Sequence, residues 1–286
     1  MKTSPVISIV VPCFNSGKTI GRTLKSLEFQ TYENIEVIIV NDGSNDELTL
    51  KKLHDIPKSL KAKIINQKNS GLSAARNRGI EAANGNFIIP LDADDWLEPD
   101  AISMLVREAL FEGSRAIVYS DINLHGDRNG IKQTYCNPFE QLFSNQLPYC
   151  MLIPKVALEK LNGYDENFDL GFEDWELNLR LIQEGYVFKK INRAVFNYQV
   201  SEKGMLKAKS LRNFAYIAEK IRNKHPQEFH LKSLVKKYKY STKLDSKYPL
   251  FIFIVVDLLF KLFPIQFVNH LYNFGFNATK SKSHAI

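Results

Sequence analysis

Five short runs rich in Val and Ile recur along the first part of the chain, with helix-patterned stretches between them. The runs are "VISIVVP" (6–12), "IEVIIVND" (35–42), "AKIINQ" (62–67), "NFIIPL" (86–91) and "RAIVYSD" (115–121). Between them, 17–30 places Ile20, Leu24 and Leu27 at helical spacing, and 46–54, 71–85 and 99–112 also read as helices. Continuous apolar strands alternating with helices predict a parallel sheet covered on both faces, so the fold class is α/β. In such sheets ligands bind beyond the carboxyl ends of the strands. Three strands here end in polar residues, in "VVPCFN", "IIVNDGSND" and "IIPLDADD". The loops after them are expected to converge on one crevice.

The second half is less regular. Short helices are expected over 138–144 and 155–162, a clear helix over 171–185, a strand over 194–200 and two Lys-rich helices over 208–240. A length of 286 residues suits one domain of about 200–230 residues with an appendage. The three cysteines, Cys13, Cys136 and Cys150, are widely spaced and form no CxxC. They imply neither a disulfide framework nor a zinc site and point to a reducing compartment. The opening "MKTSPVISIVVPCFN" is too short and strand-like for a signal peptide.

The stretch "PLDADDWLEP" (90–99) places Asp92, Asp94 and Asp95 at the end of a buried strand. Packed carboxylates repel one another, so a cation or donor groups must answer them. On extended backbone Asp92 and Asp94 point the same way, which suits Mg²⁺ or Mn²⁺ held by carboxylate and phosphate oxygens. An EF-hand is excluded, because the loop has no Gly at position 6 and no Glu at position 12. A plain acidic loop capping the next helix would account for one of the three, Asp95.

Other polar groups gather near that edge. In "NDGSND" (41–46), Asp42 ends a strand, where its carboxylate could accept from a nucleobase N–H, although the motif is also ordinary turn chemistry. In "NSGLSAARNRGI" (69–80), Arg76 shares a turn with Ser73 and is the better phosphate candidate. Arg78 reads as a surface salt bridge. In "GFEDWE" (171–176), Glu173 and Asp174 open a helix, where a carboxylate is favoured by the dipole. Trp175 beside them offers a flat side chain that could line a sugar site. Asp174 is a candidate general base.

These stretches, in this order, resemble the family 2 glycosyltransferases. The resemblance runs over about residues 5–200, through "VPCFN", "IIVNDGSND", "NSGLSAARNRGIEAANGNFIIPLDADDW" and "GFEDWELNLRL". It implies a GT-A fold, a Rossmann-like mostly parallel sheet, as a catalytic domain over 1–205. A basic and hydrophobic helical extension would follow over 206–286. It implies an inverting transfer of a sugar from a nucleoside diphosphate sugar, a UDP-sugar, to a hydroxyl of an oligosaccharide or lipid-linked glycan, in cell-surface polysaccharide or lipopolysaccharide synthesis. By resemblance, Pro12, Phe14 and Asn15 belong to the nucleotide pocket and Asp42 is the uracil-binding carboxylate. Arg76 is a nucleotide or diphosphate contact. Asp94, with Asp92, is the metal pair, Asp92 lying nearer the ribose. Asp174, with Glu173, occupies the place of the catalytic base. One departure is Gln199 in "FNYQVSEKGML" (196–206), where many members carry His or Arg; Lys203 could supply that charge. A non-catalytic sugar-nucleotide or glycan-binding module of the same fold is the alternative, and retention of Asp92, Asp94 and Asp174 together speaks against it.

Net charge is +7 and unevenly spread: residues 200–247 hold 13 Lys/Arg against 4 Asp/Glu. Basic and aromatic residues do not alternate there as a stacking platform would require, so nucleic acid is not expected as a partner. "PLFIFIVVDLLFKLFP" (249–264) is apolar but shorter than the roughly 20 residues a span needs. With "IQFVNHLYNFGF" (265–276) it reads as a hairpin lying in the membrane interface, fed by the basic segment before it. A homodimer through the same helices is the other reading. The expected location is cytoplasmic, at the inner face of the plasma membrane.

Overall fold

The central sheet of the computed structural model has the strand order β3-β2-β1-β4-β9. Its strands are β1 (Ile7–Cys13), β2 (Ile35–Asp42), β3 (Lys63–Gln67), β4 (Phe87–Pro90) and β9 (Ile153–Pro154). The first four pair in parallel, and β9 runs antiparallel to β4. Every residue of β1 is buried, as is β2 from Val37 onward, so the apolar runs lie in the core as their composition requires. The structure describes residues 4–201, 210–241 and 249–282, with side chains up to 273.

Helices α1 (Ile20–Glu28), α2 (Glu47–His54), α3 (Leu72–Ala82) and α4 (Ala101–Glu112) connect the strands. Helix α3 lies against β1 and β2, and the approach is close. A Cβ added to Gly79 would stand 2.3 Å from Val10 Cγ1, so only glycine lets the helix settle there.

The sequence reading missed several short strands. The run at 115–121 forms β6 (Ala116–Tyr119), and a further strand, β7 (Ile122–Gly126), begins just beyond it. Strand β6 pairs with β10 (Val187–Lys190). Strand β7 lies between β11 (Phe196–Val200) and β8 (Gly130–Lys132), and β11 also pairs with the two-residue β5 (Trp96–Leu97). Short strands without their own alternation carry no periodic signal. Helix α5 (Lys155–Lys160) is as expected, while 138–144 forms only a 3₁₀ turn over Glu140–Leu142. There Asn137 Oδ1 accepts from Phe139 N (3.0 Å) and Glu140 N (3.1 Å), an Asx turn that competes with a longer helix.

The chain divides into two units. The first comprises 1–135, 147–169 and 176–201 and contains every strand among the described residues. The second draws in 136–146 and 170–175 together with the stretch from 202 onward, so helix α6 (Glu173–Gln183) begins in the second unit and continues in the first. The second unit is helical: α7 (Phe214–Lys224), α8 (Leu231–Ser241), α9 (Leu250–Leu262) and α10 (Ile265–Lys282). Its core is aromatic. Phe139 packs edge-on to Tyr238 and Phe253, and Phe214 stacks on Tyr272 at 4.3 Å. The two helices expected over 208–240 are α7 and α8; residues 208 and 209 lie outside the described residues, as does Lys203.

Candidate active site

The carboxyl ends of β1, β2 and β4 carry the polar groups anticipated from the sequence. Pro12 is buried within β1, and Phe14, just past its end, is 48% exposed. Asn15 follows in the left-handed region at φ 50°. Its amide spans two loops: Nδ2 donates to Asn45 Oδ1 (2.9 Å), and Oδ1 accepts from Asn45 N (2.9 Å). Asn15 thus ties the loop after β1 to the loop after β2.

Asp42, the last residue of β2, is buried and already engaged. Oδ1 accepts from Gln67 Nε2 and Ser70 N, each at 2.8 Å, and Oδ2 accepts from Gly71 N at 2.9 Å. The carboxylate therefore shapes the loop leading into α3. A carboxylate has about four acceptor positions, so Oδ2 can take one further N–H.

Beyond β4, three carboxylates meet three different environments. Asp92 Oδ1 accepts from Arg76 Nη2 at 2.7 Å, and the arginine is 1% exposed. The Arg76 guanidinium also faces the rings of Tyr149 (4.9 Å) and Tyr164 (5.2 Å). Arg76, expected to contact the nucleotide or diphosphate, here directs Nη2 at Asp92 from α3, where its side chain is buried. Arg78 pairs with Glu81 on the surface.

Asp95 does not cap the following helix, contrary to the sequence reading. It is fully buried, accepts from the Tyr149 hydroxyl (2.5 Å) and from Gln199 N (2.7 Å), and α4 has no side-chain cap. Burial, then the charges of Asp94 and Asp92, raise its carboxyl well above the usual range. The same Tyr149 oxygen accepts from Asp92 N at 3.0 Å, so one hydroxyl fixes the backbone of one aspartate and the side chain of another.

Asp94 keeps one side open to solvent, and its carboxyl accepts a hydrogen bond from no other described residue. Crowding by the surrounding chain, then the charge of Asp92, push it up to about 6, with Arg22 acting in the opposite direction. Arg22 was not anticipated. Its Nη2 donates to the Asp94 carbonyl and to Gln199 Oε1, both at 2.9 Å, and its guanidinium lies 3.6 Å from the centre of the Trp96 ring. So a cation stands at Gln199 after all, supplied by α1 across a sequence gap that no local pattern reveals.

The pair Asp92 and Asp94 fits a hard divalent cation. One carboxylate is anchored by arginine, and the other is left crowded by like charge, a state that a cation would relieve. Among the described residues no group of three or more His, Cys, Asp or Glu is placed to hold a metal, so phosphate oxygens and water would complete the coordination.

In the second unit, Asp174 lies in the first turn of α6. Oδ2 accepts from Asn145 Nδ2 at 2.7 Å, and Oδ1 accepts from Trp175 N at 2.9 Å. Asn145 is oriented in turn by Gln141 Nε2, which donates to its Oδ1 (2.9 Å). Glu173 is buried. The loop before them holds Phe172 at φ 61°, an unfavoured conformation for an aromatic residue. Edge-on contacts with Trp175 (5.8 Å) and Phe214 (6.1 Å) hold it there. Trp175 does not line a sugar site here. It is fully buried, stacks on Phe214 at 5.6 Å and donates Nε1–H to Gln141 O at 2.6 Å. A large indole gains more from burial with its N–H satisfied than from exposure.

Residues 8–158 match the family described as glycosyl transferase family 2. Chondroitin synthase of Escherichia coli is 32% identical over 203 residues, which are 69% of this chain and 29% of that protein. The chain thus spans under a third of that relative's length. An amylovoran biosynthesis glycosyltransferase, AmsB of Erwinia amylovora, is 28% identical over 68% of this chain and 69% of its own. Among solved structures, S. aureus TarS (residues 1–349, with UDP-GlcNAc) has a TM-score of 0.62 at 20% identity, covering 76% of this chain and 65% of that one. That likeness shows the fold: the GT-A arrangement of a mostly parallel sheet with helices on both faces.

Proposed function

The chain belongs to glycosyl transferase family 2, and we propose that it moves a hexosyl or N-acetylhexosaminyl group from a UDP-sugar to a hydroxyl of a glycan acceptor, inverting the anomeric carbon. The observation that carries the reading is the placement of Asp92, anchored by Arg76, and the exposed Asp94 together at the carboxyl edge of the parallel sheet. The complexes of TarS with UDP and UDP-GlcNAc support a UDP-linked donor. The names of the chondroitin and amylovoran relatives support a polysaccharide acceptor.

In this reading Asp42 accepts the base N–H at Oδ2, and Pro12, Phe14 and Asn15 wall the nucleotide pocket. Asp94 and Asp92 would hold Mg²⁺ or Mn²⁺, which would supply positive charge to the diphosphate leaving group. Arg76 is a positioning residue that fixes Asp92. The acceptor oxygen attacks the anomeric carbon as the bond from that carbon to the diphosphate oxygen breaks. Asp174 takes the hydroxyl proton, with Glu173 beside it. The Asn145 amide holds one Asp174 oxygen, which favours a single carboxylate orientation.

The test is release of nucleotide from a panel of nucleoside diphosphate sugars, with and without Mn²⁺, for the wild type and Asp94→Ala. Metal-dependent release from one donor, lost in the variant, is the expected result. Equal turnover by the variant would remove Asp94 from the metal site. Transfer to glycan acceptors by Asp174→Asn at wild-type rate would remove the proposed base.

A further inference from the structure

The exposed side of α9 is largely apolar, and no described exposed residue of α9 or α10 is acidic. Phe251, Val255, Leu258 and Leu262 are exposed at steps of four, three and four residues, which places them on one side of α9. Phe263 and Phe267 continue the exposed apolar surface. Asp257 is the single acidic residue between 249 and 282, and it points inward. Arg222 Nη1 donates to its Oδ1 at 2.7 Å and Lys261 Nζ to its Oδ2 at 2.5 Å. The Arg222 guanidinium is itself packed against Phe229 (4.2 Å) and Phe260 (4.4 Å). The one negative charge of this helix pair is therefore spent inside the second unit.

Among the described residues of the helical unit the exposed charge is of one sign. Between residues 210 and 273 no exposed described side chain is acidic, whereas Arg212, Lys220, Lys224, Lys232, Lys236 and Lys239 are all exposed. We propose that this helical unit docks on an anionic lipid surface, with α9 lying in the plane of the headgroups and its Phe251–Leu262 stripe in the acyl boundary. Length supports lying over spanning. The 13 residues of α9 reach only about 20 Å at the helical rise, against a hydrocarbon core of about 30 Å. No described helix is long and apolar enough to cross a membrane. Charge favours lipid over a second copy of the chain. The exposed charge of the described helices is basic, which anionic headgroups complement and a second copy of the same charge does not. The proposal does not depend on the transferase reading.

The experiment is co-sedimentation of the full chain with vesicles of equimolar phosphatidylglycerol and phosphatidylcholine, and with vesicles of phosphatidylcholine alone. Light scattering without lipid reports the oligomeric state. Binding to the anionic vesicles, weakening as salt rises, is expected. The double substitution Val255→Asn with Leu258→Asn should lower it by about tenfold or more. Lys232→Glu with Lys236→Glu should weaken binding on anionic vesicles and leave the small binding to neutral ones unchanged. If the asparagine pair loses helicity by circular dichroism, the lysine pair carries the test alone. Wild type left in the supernatant with both vesicles would overturn the proposal, as would properly folded variants that bind like wild type. A wild-type dimer that the asparagine pair splits, without vesicle binding, would assign the face to a second copy and also overturn it.

Discussion

Arg76 Nη2 meets Asp92 Oδ1 at 2.7 Å, with the arginine almost wholly out of solvent. The acidic loop after β4 therefore rests on a buried cation supplied by α3. Removing one partner of a buried pair leaves an uncompensated charge. Arg76→Gln is expected to lower unfolding stability by about 3 kcal/mol, and Arg76→Lys to recover only part of it, since lysine lacks the planar fork and the stacking against tyrosine. Urea unfolding of both variants checks this. A loss under about 0.5 kcal/mol for Arg76→Gln would show that Asp92 needs no partner.

The raised carboxyl of Asp94, about 6 against an ordinary 3.8, makes a prediction about pH. A carboxyl raised in the fold binds its proton more tightly there than in the unfolded chain. The ionised group therefore opposes folding above the folded value, and the penalty disappears as pH falls toward the unfolded one. Asp94→Asn should raise the Tm of metal-free protein at neutral pH and change it little below about pH 4. Thermal unfolding at both pH values decides the matter, and an equal Tm difference at each would contradict the mechanism. Added Mn²⁺ should raise the Tm of the wild type and not of the variant.

Asn145 holds one oxygen of Asp174 and is itself held by Gln141. Asn145→Ala should reduce kcat for sugar transfer about tenfold while leaving donor affinity unchanged, because it disturbs the orientation of the proposed base and not the nucleotide. Calorimetric titration with UDP alongside steady-state kinetics separates the two. A large loss of UDP affinity with unaltered kcat would place Asn145 on the donor.

Gly79 lies where a Cβ would stand 2.3 Å from Val10. Gly79→Ala forces α3 away from β1, and overpacking of this kind costs about 1–3 kcal/mol. Since α3 also carries Arg76, the substitution should weaken metal-dependent nucleotide binding as well as stability. Retained stability and binding would show that the helix can shift freely.

The sequence by itself determined the alternation of strands and helices, the carboxyl edge as the place of the chemistry, and Asp42, Asp92 and Asp94 as residues of that edge. Those features follow from side-chain periodicity and turn chemistry, which act between near neighbours. Tertiary structure alone decided the partners. Asp95 is bound by Tyr149 and by Gln199, 54 and 104 residues away, and so became a buried link instead of a helix cap. Arg22 reached Gln199 across 177 residues, a contact no local pattern reveals. Trp175 turned inward onto Phe214, because a helix absent from its own neighbourhood offered it a buried face. Such pairings depend on how distant elements close over the sheet, and the free energy of that packing is not encoded in any one stretch of the chain.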